Sequence, residues 1–298
     1  MQFDPCWVYK KYLFCFFIMI AFSIGSLHIY RYGIFYFIAF LVGYLFLFWI
    51  SKKNIFWKEF PRLQWFLQTH LDDVMLYIFF GVLLWWRMGH VMLYDLQYYI
   101  SHPGEVLQIR RWGMSFIGGI FGVTIALLLL AWKKRFTAKE FILLGDLIFA
   151  ILPFGIMVGR MGNFLNQELY GVVVSNRLPR LWYPLFSILN DLNIFHVYAQ
   201  IDNQLRVNTN FLSLFFEGFL LLILTLSIIR KRIITKTPQP GRIVGVFLIW
   251  YSCVRFLLEY VRADSQLEFH GWFSVSQRFF LGFFTAGVVM LVFRKKLK

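Results

Sequence analysis

Acid is what this chain has least of: 15 aspartates and glutamates stand against 30 lysines and arginines in 298 residues, and only 15% of the residues are charged. A soluble domain carries about 25% charged residues, so the shortfall excludes an ordinary water-soluble fold. Cysteine is scarce too. Cys6, Cys15 and Cys253 share no metal-ligand or redox spacing, which leaves nothing for a zinc site or a disulfide framework, and they read as packing residues. The sequence also lacks an internal repeat, a low-complexity tract, a phosphate-binding glycine loop and a dinucleotide fingerprint. Nucleotide-driven chemistry has no foothold here.

What fills the chain instead is apolar. Hydrophobic residues make up 59% and aromatics 21%, with a mean hydropathy of +0.64, so the solvent is a bilayer. Runs long enough to cross a hydrocarbon core recur at 33–50, 73–94, 113–132, 141–158, 211–229, 243–261 and 275–293. They predict an all-α, polytopic transmembrane helical bundle with seven core helices, forming a single integral membrane domain over 1–298. Lys10 and Lys11 precede a further apolar run at 12–29 that lacks a convincing small-residue cleavage site. It is read as an extra N-terminal helix, with an interfacial arm as the alternative.

A net charge of +15 would suggest nucleic acid in a soluble protein, but the basic residues sort by side. Lys52, Lys53, Lys58 and Arg62 follow the first core run; Lys133, Lys134, Arg135 and Lys139 follow the third; Arg230, Lys231, Arg232, Lys236 and Arg242 follow the fifth; Arg294, Lys295, Lys296 and Lys298 end the chain. The positive-inside bias puts these loops and the C-terminus in the cytoplasm and makes membrane, not nucleic acid, the partner. The segments 95–112, 159–210 and 262–274 then face outward, and 160–210 is long enough for a small head.

Ionisable groups in a bilayer cost several kcal/mol unless paired or solvated. Arg87, Asp146, Arg160, Glu217, Arg255, Glu259 and Arg262 all lie in or at the ends of apolar runs. Arg255, Glu259 and Arg262 are spaced by four and three, which stacks them on one helix face. Interhelical ion pairing would account for any one of these groups. Arginine in excess of acid at one level points to an anionic ligand, and a phosphodiester headgroup is the anion available at that depth.

The densest polar stretch is Gly159-Arg160-Met161-Gly162-Asn163-Phe164-Leu165-Asn166-Gln167-Glu168-Leu169-Tyr170-Gly171. Its donors and acceptors exceed what apolar packing needs. The run resembles the signature of the prolipoprotein diacylglyceryl transferase family, G-R-x-G-N-F-x-N-x-E-x-x-G, at every fixed position. Tyr32-Gly33, Gly113-Met114-Ser115-Phe116 with Gly118-Gly119, Glu217-Gly218, Arg255-Phe256 with Glu259, Arg262 and Asp264, and Ser274 to Gln277 are similar to further family segments in the same order, over about 22–293. There are departures. Ile117 stands where the family has a histidine proposed to help activate the thiol, Val207-Asn208-Thr209-Asn210 replaces H-P-S-Q, and His90 stands where a tyrosine is expected.

The resemblance implies a bacterial inner (cytoplasmic) membrane enzyme with a small periplasmic head and its site toward the periplasm. The implied reaction transfers the diacylglyceryl group of phosphatidylglycerol to the thiol of the lipobox cysteine in prolipoprotein signal peptides, releasing glycerol 1-phosphate. No metal or organic cofactor is demanded. On this reading Arg160 and Arg255 hold the phosphate, with Arg87 and Arg262 as further headgroup or entrance contacts. Asn163 and Asn166 suit the glycerol hydroxyls or phosphate, Glu259 orients its arginines, Glu168 orients Arg160 or Asn163, and Gly171 acts through backbone shape. Tyr32, then His90 and His28, are the candidates for thiol activation. A non-catalytic paralogue and a lipid- or anion-binding transport protein are the competing readings.

Overall fold

The computed structural model describes residues 20–24, 27–56, 58–93, 96–106, 116–174, 194–198, 201–263, 269–270 and 273–293. Backbone that cannot bond to water in hydrocarbon must satisfy itself within each segment, and the apolar runs do so as helices. In chain order the elements are β1 (Ile20–Ile24), β2 (Leu27–Tyr30), α1 (Arg31–Ser51), α2 (Pro61–Thr69), α3 (Leu71–Leu93), α4 (Leu96–Ser101), α5 (Phe116–Lys133), α6 (Ala138–Leu165), β3 (Phe195–Val197) and β4 (Leu205–Val207). There follow α7 (Thr209–Ser213), a π-helical segment (Leu214–Leu220), α8 (Leu221–Thr235), α9 (Arg242–Leu258), β5 (Phe269–His270), β6 (Phe273–Ser274) and α10 (Val275–Phe293).

Five helical stretches among the described residues are long and apolar enough to cross a membrane: Gly33–Ser51, Ala138–Leu165, Thr209–Thr235, Arg242–Val261 and Ser276–Phe293. A sixth appears if Pro61–Thr69 and Leu71–Gly89, bent by 78° at their break, count as one span. The expected run at 113–132 supplies an apolar but shorter helix, Phe121–Lys133. The fold is mostly helical, but among the described residues three two-stranded antiparallel sheets interrupt it. One corrects the extra N-terminal helix. Within the 12–29 run and at its border, Ile20–Ile24 and Leu27–Tyr30 pair as the antiparallel strands β1 and β2, while 12–19 and 25–26 lie outside the described residues. Gly25-Ser26 is turn chemistry, and the flanking isoleucines and aromatics favour strands.

Two compact units are distinguished. One contains Met1–Gly43, Gly145–Thr235 and Gln239–Lys298; the other contains Tyr44–Leu144 and Lys236–Pro238. Within the second, α3 and α5 approach at glycines: a methyl on Gly81 would sit 2.7 Å from the Gly122 carbonyl oxygen. Small residues allow such contact, which membrane helices need because lipid offers no hydrophobic drive to associate. Buried Gln64 donates to the Ser51 carbonyl (2.7 Å) and accepts from the Phe56 amide (3.2 Å), tying α2 to the end of α1.

In the first unit Leu221, Phe247 and Tyr251 form a core with Phe149, Ile156 and Phe280. Polar ties reinforce it. Thr225 Oγ1 donates to the Ala150 carbonyl (2.8 Å), one residue past the carbonyl that Pro153 leaves without its helical N–H. Fully buried Asp146 accepts from the amides of Gly241 (3.0 Å), Ile243 (3.0 Å) and Val244 (2.9 Å) and pairs with Arg232 at 2.8 Å. It caps α9 from outside the helix and neutralises an arginine in the same step.

Candidate functional site

The site is built where α6, the π-helical segment and α9 of the first unit bring their charges together. Arg160 lies in the last turns of α6, and its Nη2 is 3.3 Å from Glu217 Oε2. Glu217 is fully buried in the π-helical segment, and its other oxygen is 3.6 Å from Arg255 Nη1 on α9. Arg255 Nη2 is 3.8 Å from Glu259 Oε2, which is 3.7 Å from Arg262 Nη1. The result is one alternating chain, Arg160–Glu217–Arg255–Glu259–Arg262. Among the described residues, three guanidiniums stand against two carboxylates in this chain, one positive charge in surplus, the complement of one phosphodiester.

Local structure explains how Glu217 reaches both arginines. A π-helical stretch widens the backbone by one residue per turn and changes which side chains point inward. The carbonyl of Phe216 there accepts from Trp250 Nε1 of α9 at 2.8 Å, which satisfies the irregular backbone. Gly218 lets α6 close in: a Cβ at 218 would lie only 3.2 Å from Met157 Cβ and 3.3 Å from its Cα. At the end of α9, Gln277 Nε2 donates to the Phe256 carbonyl (3.1 Å), while Ser274 and Gln277 exchange hydrogen bonds of 2.9 and 3.1 Å as a capping box for α10.

The signature continues past α6 as a tightly held loop. Gln167 and Leu169 take positive φ, 53° and 52°, an uncommon state for residues with a side chain. Side chains from the start of α7 hold it: Asn210 Nδ2 donates to the Glu168 carbonyl (2.7 Å) and Thr209 Oγ1 to the Leu169 carbonyl (2.6 Å). Beyond it the chain is zipped on both sides. The Gly171 amide donates to Val207 O (3.0 Å), Val172 to Val261 O (2.9 Å) and Ala263 to Tyr170 O (3.1 Å), with Gly171 bridged to Arg262. Gly171 has no room for more: a methyl would meet the carbonyl oxygens of Val207 and Val261 at 2.5 and 2.8 Å. Arg206 Nη1 donates to the Gly171 carbonyl (3.0 Å), stacks over Tyr170 at 4.7 Å and is clamped by Asp202. That pair holds the Asp202 carboxyl below its ordinary range.

Glu168 stands apart from the other acids of this end. Its Oε1 faces Asn166 Nδ2 at 3.5 Å, and no salt bridge to it is found among the described residues. Burial alone pushes its carboxyl up to about 7. Asn166 is itself buried, and its Oδ1 has no hydrogen-bond partner among the described residues. Nearby, His196 lies edge-on between Phe164 (4.8 Å) and Tyr198 (5.0 Å). Fully buried Tyr198 donates to Asn208 Oδ1 at 3.3 Å, and its hydroxyl is pushed up to about 12, mainly by burial.

Of the residues singled out in the sequence, Arg160, Arg255, Glu259 and Arg262 join one ion-pair chain, and Asn166, Glu168 and Gly171 line the held loop. Asn163 sits on α6 three residues past Arg160, its carbonyl accepting from the Glu168 amide at 3.1 Å. Arg87 belongs to the other unit, where it donates to the carbonyls of Val106 (3.0 Å) and Glu105 (3.0 Å) and to Tyr99 Oη (3.1 Å). Tyr32 opens α1 and His90 lies near the end of α3, but their side chains, with those of His28 and Ile117, lie outside the described residues, as do Gly113 to Ser115 and Asp264. Sequence reasoning missed two things: Glu217 as the hub of the arginines, and Thr209 and Asn210, part of an apparent departure from the family pattern, as the residues that hold the signature loop.

A sequence profile described as prolipoprotein diacylglyceryl transferase matches residues 19–293. The chain is 32% identical over 280 residues to the phosphatidylglycerol–prolipoprotein diacylglyceryl transferase of Pseudoalteromonas translucida, covering 93% of this chain and 92% of that protein. It is 33% identical over 261 residues to the protein of the same name from Legionella pneumophila strain Paris, covering 87% and 90%. To that of Photobacterium profundum it is 34% identical over 258 residues, covering 86% and 85%. A match over nearly the whole length makes this chain a member of the prolipoprotein diacylglyceryl transferase family.

Proposed function

We propose that this protein transfers the diacylglyceryl group of phosphatidylglycerol to the lipobox cysteine of prolipoproteins. The observation that carries the reading is the arginine chain with its single surplus charge, joined to the signature loop of a family named for that reaction. The peptide thiolate attacks the glyceryl carbon, the carbon–oxygen bond to phosphate breaks, and glycerol 1-phosphate departs with the electron pair. Alkylation at carbon needs no protein nucleophile. It needs two reactants aligned and charge stabilised on the departing phosphate.

Arg160 and Arg255 are suited to the phosphate because Glu217 holds the two guanidiniums on either side of itself. Glu259 and Arg262 extend the chain, and Glu259 orients while Arg262 contacts the headgroup. Asn163 and Asn166 meet the glycerol hydroxyls. Tyr32, His90 and Arg87 serve the approaching substrates. The protein sits in the bacterial inner membrane with its C-terminus in the cytoplasm, and the arginine chain and the 160–210 head face the periplasm, as the lysine asymmetry of the loops supports.

Incubating the purified protein with phosphatidylglycerol and a synthetic lipobox peptide tests the reading. A diacylglyceryl mass increase on the peptide, matched by glycerol phosphate release, is expected. It should vanish with Arg160→Ala and with a peptide whose cysteine is serine. No product from a folded, lipid-binding protein would sink it.

A further inference from the structure

The transfer consumes a thiol and needs a group to take its proton. Cations cannot do so, which removes Arg160, Arg255 and Arg262. Glu217 lies at ion-pair distance from two arginines, Arg160 and Arg255, and Glu259 from Arg255 and Arg262. Each of these carboxylates is already committed to two guanidiniums. Tyr198 is already protonated and gives its hydrogen to Asn208. Two titratable side chains described at this end lack a cationic partner: Glu168 and His196. His196 is wedged between the rings of Phe164 and Tyr198.

Building on the transferase reading, we propose that Glu168 accepts the proton of the attacking thiol and is a catalytic residue. Its placement is enforced, not incidental. Residues with positive φ flank it on both sides, and Asn210 and Thr209 fix its own carbonyl and the next one. The carboxylate itself faces the neutral amide of Asn166. The charged groups in the loop's surroundings are Arg262, bridged to Gly171 and at ion-pair distance from Glu259, and Arg206 and Asp202, which pair with one another, with the Tyr170 ring stacked on Arg206. Two kinds of glutamate environment thus share one region: Glu217 and Glu259, each held between two arginines, and Glu168, which has no salt bridge among the described residues and faces only an amide. Separating like groups by environment is how a site assigns acid and base roles at neutral pH. The burial that lifts Glu168 to about 7 matches it to a thiol ionising near 8.5.

The step balances. The S–H proton goes to the Glu168 carboxylate as sulfur bonds to the glyceryl carbon, and the carbon–oxygen bond breaks toward phosphate. Glu168 then returns the proton to the departing glycerol phosphate, whose second ionisation lies near 6, or to water. The protein ends as it began.

The test compares Glu168→Gln, which keeps shape and loses basicity, with the unsubstituted protein and with His196→Gln, on cysteine and selenocysteine forms of one lipobox peptide. With cysteine, the unsubstituted protein should speed up as pH rises to about 7 and then level. Glu168→Gln should lose on the order of 10²- to 10⁴-fold and keep accelerating toward the thiol's own ionisation, while still retaining phosphatidylglycerol. A selenol is ionised at neutral pH and needs no base, so with it Glu168→Gln should return to within about 10-fold of the unsubstituted rate. His196→Gln should keep the pH profile. Equal losses on thiol and selenol overturn the assignment and leave Glu168 a positioning role; loss of the pH-dependent limb in His196→Gln moves the base to that residue. No product from the unsubstituted protein on cysteine peptide overturns the transferase reading itself.

Discussion

Glu217 is one buried carboxylate serving two arginines, so its charge matters more than its size. Glu217→Gln keeps the volume and raises the chain's surplus from one positive charge to two. Arg160 and Arg255 then repel each other without a shared anion, and the expected outcome is a fall in kcat on the order of 10²-fold with no rise in KM for phosphatidylglycerol. Arg160→Lys should fail as well, because an ammonium cannot present the planar fork of a guanidinium to phosphate and Glu217 together. Steady-state kinetics on mixed micelles checks both. Glu168 makes the opposite case. Its carboxyl ionises at 4.5 in an unperturbed chain and at about 7 here, so the folded state favours the protonated form. Stability from that form is present below 4.5 and is lost as pH rises toward 7. Glu168→Gln should therefore melt higher than the parent at pH 8 and no higher at pH 4, read as thermal unfolding in detergent. A base that destabilises the fold at its working pH is a familiar compromise at active sites.

At the scale of elements, the signature loop behaves as a strip clamped between β4 and the end of α9. Gly171→Ala forces a methyl against backbone oxygens that cannot turn aside, a misfit worth about 1–3 kcal/mol, and it shifts Arg262 through the same bridge. Activity should fall together with melting temperature, unlike Glu217→Gln. Asp146→Asn removes the anion that both caps α9 and neutralises Arg232. Breaking such a buried pair costs about 3–5 kcal/mol, seen as lower thermal stability with the arginine chain untouched. These elements also mark how far the sequence could be read. The i, i+4 and i+7 spacing predicts one helix face for Arg255, Glu259 and Arg262; they do share one ion-pair chain, but α9 ends at Leu258 and Arg262 is extended backbone bridged to Gly171. The central role of Glu217 depends on a π-helical register that no periodicity announces. Thr209 and Asn210 act on carbonyls some forty residues earlier in the chain, and such contacts leave no local pattern. The N-terminal run misled for a different reason: a continuous apolar stretch does not distinguish helix from hairpin by period, and Gly25-Ser26 was the signal that should have decided.

For the molecule as a whole, the lysine asymmetry predicts which surfaces meet which solution. In a cysteine-free background, Asn203→Cys at the exposed turn between β3 and β4 should react with an impermeant maleimide in intact spheroplasts. Lys133→Cys at the end of α5 should react only after permeabilisation. The reverse pattern would invert the proposed orientation. On the proposed reading, the surplus charge of the arginine chain also sets what the protein can let go. A lipid enters carrying its phosphate and leaves, on the peptide, without it, so nothing in the cluster grips the finished product and it drifts away into the bilayer. The small polar fragment stays behind, now with more negative charge than the lipid it came from. On that reading the site works as a ratchet wound by discharge, reset when water carries off the phosphate it has cut free.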